Sequence, residues 1–201
     1  MSLRVVLHEI PYIFTIDNFL SNEECDKLIE EGNSLLKDST VVNTNTGNSE
    51  KMQDVRTSKD CWFYVDNPLT ISFQDKLQKE LGVSKKRFES LTMLRYDVGG
   101  YYIPHCDYFE KIVPSYKEIV KNVGNRIGTA ITYLNDVEEG GNTKFPKLDL
   151  TIKPKKGMML YFQYDYENRK TNAKTIHTGE PVLKGHKYIV TTWIREFDYT
   201  L

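Results

Sequence analysis

The chain of 201 residues has little cysteine, no long apolar run and no surplus of either charge. Its three cysteines, Cys25, Cys61 and Cys106, contain no C-x-x-C pair and are odd in number, which argues against a disulfide framework and for a reducing compartment. The longest apolar stretches, such as MMLYF at 158–162, are far too short to cross a bilayer. With 27 Lys and Arg against 28 Asp and Glu the net charge is −1, so the basic footprint that nucleic acid or an anionic membrane surface would require is missing. The first residues, MSLRVVLHEIPYIF, lack an apolar core followed by a small-residue cleavage site, so the expected location is cytoplasmic. No repeat or low-complexity tract interrupts the chain, and its length suits one domain over 1–201.

What is present falls into two halves. Ser21 and Glu24 form a capping-box pattern, Leu20 and Cys25 can staple the same helix end, and Cys25, Leu28, Ile29, Leu35 and Leu36 recur at helical spacing. A second helix starts at the cap Asn67 with Pro68 in its first turn, carries Phe73, Leu77 and Leu81 on one stripe, and stops at Gly82. Between the two helices, Asn43 to Asp54 is polar and aperiodic, a loop that could serve as a lid. After residue 90 the chain turns to short runs rich in Thr, Tyr, Ile and Val, separated by Gly- and Pro-containing turns. That pattern predicts a sandwich or barrel.

The chemistry concentrates in YYIPHCDYFE, residues 101–110, just after the turn signal Gly99-Gly100. In a strand, His105 and Asp107 project to the same face and Cys106 to the other. An imidazole and a carboxylate converging in this way suit a divalent metal, and a second histidine would complete the 2-His-1-carboxylate set of non-haem Fe(II) oxygenases. His8 sits in an unpatterned segment, leaving His177 and His186; His177 opens HTGEPVLKGHKYIVTTWIRE, where Gly179, Pro181 and Gly185 predict a hairpin bend. On the strand beyond that bend, Lys187, Ile189, Thr191, Trp193 and Arg195 share one face by parity. An inward Lys187 is costly without a carboxylate partner, and a dicarboxylate ligand would supply one.

The ordered set IDNFLSNEECDKLI, VRTS, LRYDVGGYYIPHCDYF, NRIGTAITYLND, GGNTKFP, IKPKKG and HTGEPVLKGHKYIVTTWIRE resembles the catalytic domain of 2-oxoglutarate- and Fe(II)-dependent prolyl 4-hydroxylases of the collagen type, over nearly the whole chain. The resemblance implies a mostly β fold with flanking helices, a double-stranded β-helix (jelly-roll) core with supporting helices on one sheet. It implies iron held by His105, Asp107 and His177. Lys187, ten positions beyond His177, would bind the distal carboxylate of 2-oxoglutarate, helped by Tyr133, with Tyr96 at another cosubstrate position. Tyr102, Arg126 and Trp193 match positions that contact the substrate. The implied reaction is hydroxylation of C4 of peptidyl proline with Fe(II), 2-oxoglutarate and O2, ascorbate serving as reductant, and 2-oxoglutarate leaving as succinate and CO2. Lys at 187 matches the collagen-type prolyl 4-hydroxylases, whereas lysyl hydroxylases and the oxygen-sensing prolyl hydroxylases carry Arg, a fork and not a point charge; the resemblance therefore favours peptidyl proline as substrate. Arg195 stands where related enzymes have a second histidine, so the peptide preference stays open. A microbial, phage or viral source fits the missing export signal.

Three other readings remain. The same chemistry could act on a free amino acid or another peptide residue, the fold could be a non-catalytic jelly-roll binding module, or the three ligands could hold zinc in a hydrolase. Neither of the last two gives Lys187 a task. Taken alone, Trp193 and Tyr133 also suit an aromatic core, Arg126 a surface position, and Cys106 a small buried side chain with no assigned role.

Overall fold

The computed structural model describes residues 3–42, 49, 50, 52, 54–164 and 173–198. In chain order the elements are β1 (Arg4–His8), β2 (Ile13–Ile16), α1 (Asn22–Asn33), β3 (Lys37–Asp38), β4 (Val41–Val42), β5 (Ser49–Glu50), β6 (Lys59–Trp62), α2 (Pro68–Leu81), β7 (Thr92–Tyr96) and β8 (Tyr102–His105). They continue with α3 (Tyr116–Val120), β9 (Arg126–Tyr133), β10 (Glu139–Gly140), β11 (Thr143–Phe145), β12 (Leu150–Ile152), β13 (Met159–Gln163), β14 (His177–Gly179), β15 (Val182–Lys184) and β16 (Lys187–Arg195).

Eight strands form an antiparallel sheet in the order β1-β2-β13-β9-β16-β7-β6-β3, and four form a second sheet in the order β12-β11-β14-β8. The architecture is a jelly-roll with helices on one sheet, as the resemblance implied. Alternation along the strands divides the core in two. Met93, Ala130, Val190 and Ile194 face the helices and pack with Cys25, Leu28, Phe73 and Leu77. Their odd-even neighbours Leu94, Ile131 and Ile189 face the other way and pack with Phe145 and Ile152 of the smaller sheet. The site lies on this inner face.

Both helix starts form as expected. Ser21 Oγ accepts from the Glu24 amide at 3.2 Å, and Glu24 returns a carboxylate to the Ser21 amide at 2.8 Å. Asn67 Oδ1 accepts from the Leu69 amide, and Gly82 closes α2 with φ 67°, a left-handed backbone that suits glycine. Ser21→Ala is expected to destabilise the protein by about 1 kcal/mol, read from the urea midpoint; no change would show that tertiary packing alone sets this helix start. The first stripe runs too far: α1 ends at Asn33, Leu36 packs against the core from beyond the helix, and Leu35 is exposed.

Two other expectations change. His177 and Lys187 do not flank a hairpin, because β14 pairs with β8 and β11 in the smaller sheet whereas β16 pairs with β7 and β9 in the larger one. The Gly179-Pro181-Gly185 segment carries the chain from one layer to the other. Asp107 lies in a bend just after β8 rather than in the strand itself. Of the expected lid, residues 43–48, 51 and 53 lie outside the described residues, while Ser49–Glu50 pairs with Val41–Val42. Among the described residues no helix is long and apolar enough to cross a membrane.

Candidate active site

The inner face gathers side chains that lie far apart in sequence. Strand register sets His105 directly across from His177, with ring centroids 4.3 Å apart. Asp107 closes the group, its Oδ1 3.5 Å from His105 Nε2 and its Oδ2 3.7 Å from His177 Nε2. One ligand atom from each residue lies within 4.8 Å of the others. Each imidazole is oriented from behind: His105 Nδ1 bonds the Ile103 carbonyl at 2.8 Å and His177 Nδ1 the Thr175 carbonyl at 3.1 Å. A carbonyl only accepts, so each Nδ1 carries a proton and each Nε2 faces the cluster, the nitrogen with which a neutral ring would bind a metal.

Electrostatics agree with that assignment. Burial, with pressure from His105, drives the His177 pKa down to about 4, so the ring is neutral at neutral pH. Burial works against ionisation of Asp107, yet the interactions with His177, His105 and Arg126 outweigh it and hold its carboxyl well below the usual carboxylate range. Two imidazoles and one carboxylate, all buried or half-buried, are a donor set suited to a divalent first-row metal.

Lys187 lies on the same inner face. It is 4% exposed, and its ammonium sits 5.5 Å from the ring centroid of Tyr96 and 5.7 Å from that of Tyr133. Tyr96 is its cross-strand partner. Gly141, beside the Lys187 stem, adopts φ 66°, a left-handed backbone that suits glycine. Burial pushes the Lys187 pKa down to about 7, although Glu180 opposes the shift. Among the described residues no carboxylate forms an ion pair with it. The cavity between this ammonium and the His-Asp-His cluster is lined by Tyr96, Thr143, Thr191 and Trp193.

A broader groove of about 470 Å³ opens on the other side of the cluster. Tyr102 and Trp193 line both spaces. The Tyr102 ring stacks on His105 at 3.6 Å, and burial raises its phenol pKa to about 12. The buried indole N–H of Trp193 has no hydrogen-bond partner among the described residues. Trp62, Ile103, Pro104 and Val113 give the groove an apolar wall.

The expected residues thus converge, with two differences in how they are used. The Tyr133 hydroxyl donates to Thr143 Oγ1 at 2.8 Å, and it is Thr143 that borders the cavity. The Arg126 guanidinium bonds both oxygens of Glu89 at 2.7 Å each, donates to the Asp107 carbonyl at 3.2 Å and lies over the Trp193 ring at 3.9 Å. Glu89 is also paired with Arg195 at 2.6 Å. Arg195 therefore forms part of a buried charge group behind the groove. Sequence reasoning missed Glu89, Thr143, Thr129, Tyr164 and Arg56. Three of them lie inside motifs of the family set, Arg56 in VRTS, Thr129 in NRIGTAITYLND and Thr143 in GGNTKFP, whereas Glu89 and Tyr164 lie outside it; Arg56 borders the cavity and lies over the Tyr102 ring at 5.1 Å.

A jelly-roll whose inner face brings two imidazoles and a carboxylate together, with a buried ammonium across the cavity that has no ion-pair partner among the described residues, defines a class of mononuclear metal-dependent oxygenase. Comparison with known proteins agrees. A model of the 2OG-Fe(II) oxygenase superfamily matches residues 91–195. Probable prolyl 4-hydroxylase 10 of Arabidopsis thaliana is 34% identical, over 90% of this chain and 68% of the relative. Prolyl 4-hydroxylase subunit alpha-1 of Homo sapiens is 31% identical over 92% of this chain, which spans only 35% of that subunit. The crystal structure of the viral collagen prolyl hydroxylase from Paramecium Bursaria Chlorella virus-1, as its 2OG complex, superposes with a TM-score of 0.71 at 32% identity, covering 94% of this chain and 98% of that one. The chain belongs to the 2OG-Fe(II) oxygenase superfamily, as a prolyl 4-hydroxylase-like member. Membership implies Fe(II), 2-oxoglutarate and O2, and the donor set described above fits the metal.

Proposed function

We propose that residues 1–201 act as one domain that hydroxylates C4 of proline within peptides. Per turnover, one prolyl C–H becomes C–OH while 2-oxoglutarate and O2 become succinate and CO2, the second oxygen atom entering succinate. Bound iron supplies the activation of O2 and the oxidant for this step. His105, Asp107 and His177 would hold the metal, their two Nε2 atoms and one carboxylate being the donors. They take no part as general acids or bases.

The observation that carries the reading is the ammonium of Lys187, buried on the same cavity as the three ligands and without an ion-pair partner among the described residues. A dianionic cosubstrate held in this cavity would give that charge its partner, with Tyr96 and Thr191 lining the space and Tyr133 acting through Thr143. A zinc hydrolase would leave the charge without a role. Peptide rather than free amino acid is favoured by the volume and apolar wall of the groove, which suit a proline-rich segment. Tyr102 and Trp193 would touch the peptide, and the unpartnered Trp193 indole N–H offers a donor to a peptide carbonyl. Arg126 would shape that surface while its own donors stay engaged with Glu89 and Asp107. Ascorbate would restore Fe(II) after turnovers that miss the peptide.

The test is mass spectrometry of a proline-rich peptide and of free proline after incubation with Fe(II), 2-oxoglutarate, ascorbate and O2. The expected product is one added oxygen on a peptide proline, located at C4 by fragment and amino-acid analysis, with matching succinate. Oxygen on another residue, or on free proline in preference to peptide, would overturn the substrate assignment. Succinate release with no oxidised product would overturn the hydroxylase reading itself.

A further inference from the structure

Behind Asp107 stands a chain of two buried hydroxyls to which neither the sequence motifs nor the reaction assigns a role. Thr129, in the middle of β9 and 1% exposed, donates from Oγ1 to Asp107 Oδ2 at 2.7 Å. Tyr164, fully buried directly after β13, bonds the same Thr129 Oγ1 through its phenol oxygen. A threonine hydroxyl has one proton to give. With that proton committed to the carboxylate, the phenol must be the donor in the other link, so the chain has one direction, Tyr164 to Thr129 to Asp107. Burial, with the Asp107 charge adding to it, raises the Tyr164 pKa well above its usual value, which keeps the phenol proton in place.

Rigid surroundings hold both hydroxyls. Thr129 sits in the central part of the larger sheet, across from Phe162 on one side and Trp193 on the other. The Tyr164 ring is wedged edge-on against Tyr108 at 5.5 Å and Phe162 at 5.9 Å, and its amide donates to the Ile127 carbonyl at 3.0 Å. Asp107, by contrast, lies in a bend outside the strand, where no backbone ladder steadies the residue. Chained hydroxyls polarise one another in a dry interior and strengthen the final link to the carboxylate.

We propose that Thr129 and Tyr164 are positioning residues, a hydroxyl relay that fixes the Asp107 carboxylate in the orientation required for metal binding. The inference rests on the reading of His105, Asp107 and His177 as the metal ligands. Outer partners of this kind commonly govern metal affinity as well as rate.

Mn(II) titration of the metal-free protein, followed by the electron paramagnetic resonance signal of free Mn(II), tests the relay without turnover. Thr129→Val, which keeps the volume and removes the hydroxyl, is expected to raise the Mn(II) Kd by about 10- to 100-fold. Thr129→Ser should restore it to within about threefold of wild type, since the hydroxyl that makes the charge-assisted bond returns. Tyr164→Phe should weaken binding in the same direction by a smaller factor, because the bond to Asp107 survives without its support. Circular dichroism establishes that each variant is folded, and Tyr164→Phe decides the matter if Thr129→Val does not fold. Wild-type-like Mn(II) binding by a folded Thr129→Val, or by Tyr164→Phe in its place, would overturn the relay while leaving the metal site intact. Failure of the wild-type protein itself to bind Mn(II) would overturn the metal reading and the relay with it.

Discussion

Replacing Asp107 by alanine is expected to lower peptide-stimulated succinate formation by at least about 10³-fold, the several kcal/mol that a correctly held metal contributes. The fold should survive. Asp107 lies in a bend after β8, and of its two bonds to β9 the one from Arg126 uses the backbone carbonyl and is kept in the variant, while the one from Thr129 to the carboxylate is lost. The segment is held a second time by Asn125, which accepts from the Phe109 amide and donates to the Phe109 carbonyl. The structural cost is the Thr129 hydroxyl left without its acceptor, about 1–3 kcal/mol. Succinate release with and without peptide, beside a thermal melt, checks both parts. Turnover within tenfold of wild type would remove Asp107 from the metal site.

Lys187→Met should raise the apparent KM for 2-oxoglutarate by about 100-fold, since removing one partner of a buried charge pair costs about 2–5 kcal/mol and each 1.4 kcal/mol is tenfold. The peptide KM should stay nearly constant, because the ammonium faces the cavity lined by Tyr96 and Thr191 and is absent from the lining of the broader groove. Equal increases in both constants would remove the pairing. The pH dependence has a definite sign. In the ligand-free protein Lys187 loses its proton near pH 7, and a bound dianion restores it, so 2-oxoglutarate affinity should fall as the pH rises from about 7 to 9 in wild type and stay level in Lys187→Met. Stability moves the other way. Between a folded pKa of about 7 and the ordinary value of 10.5 the unfolded chain binds the extra proton, so the cost of burying Lys187 is fully present below pH 7 and diminishes above it. The urea midpoint of the ligand-free wild type should therefore gain on that of Lys187→Met between pH 7 and pH 9.

Several parts of the site were legible because they depend on local periodicity. The inner face of β16 was readable by parity, and Lys187, Thr191 and Trp193 do line the cavity together. The helix starts at Ser21 and Asn67 were readable because a cap acts within three residues. His105 and Asp107 reach the same cluster although Asp107 has left the strand, since a bend can preserve the direction that alternation predicts.

The illegible parts are those in which a side chain had a choice of partner. Tyr133 faces inward as expected, yet its hydroxyl meets Thr143, a residue of another sheet that nothing in NRIGTAITYLND announces. Arg126 carries the charge that a substrate contact would need, but a buried Glu89 from an unpatterned segment engages its donors and joins it to Arg195. The Gly179-Pro181-Gly185 turn looked like a hairpin because turn residues fix where a chain bends and not which strands it joins.

The amino-acid order by itself determined the two helix caps, the alternation that makes an inner and an outer face, the place of Lys187 on the inner one and the family motif set. Only the tertiary structure decided that His177 stands opposite His105, that Thr129 and Tyr164 stand behind Asp107, and that Glu89 lies between two arginines. The reason is that alternation and capping are properties of neighbouring residues. Register between strands and the pairing of buried polar groups are settled by the packing of the whole core, where each such group takes the partner that packing brings within reach.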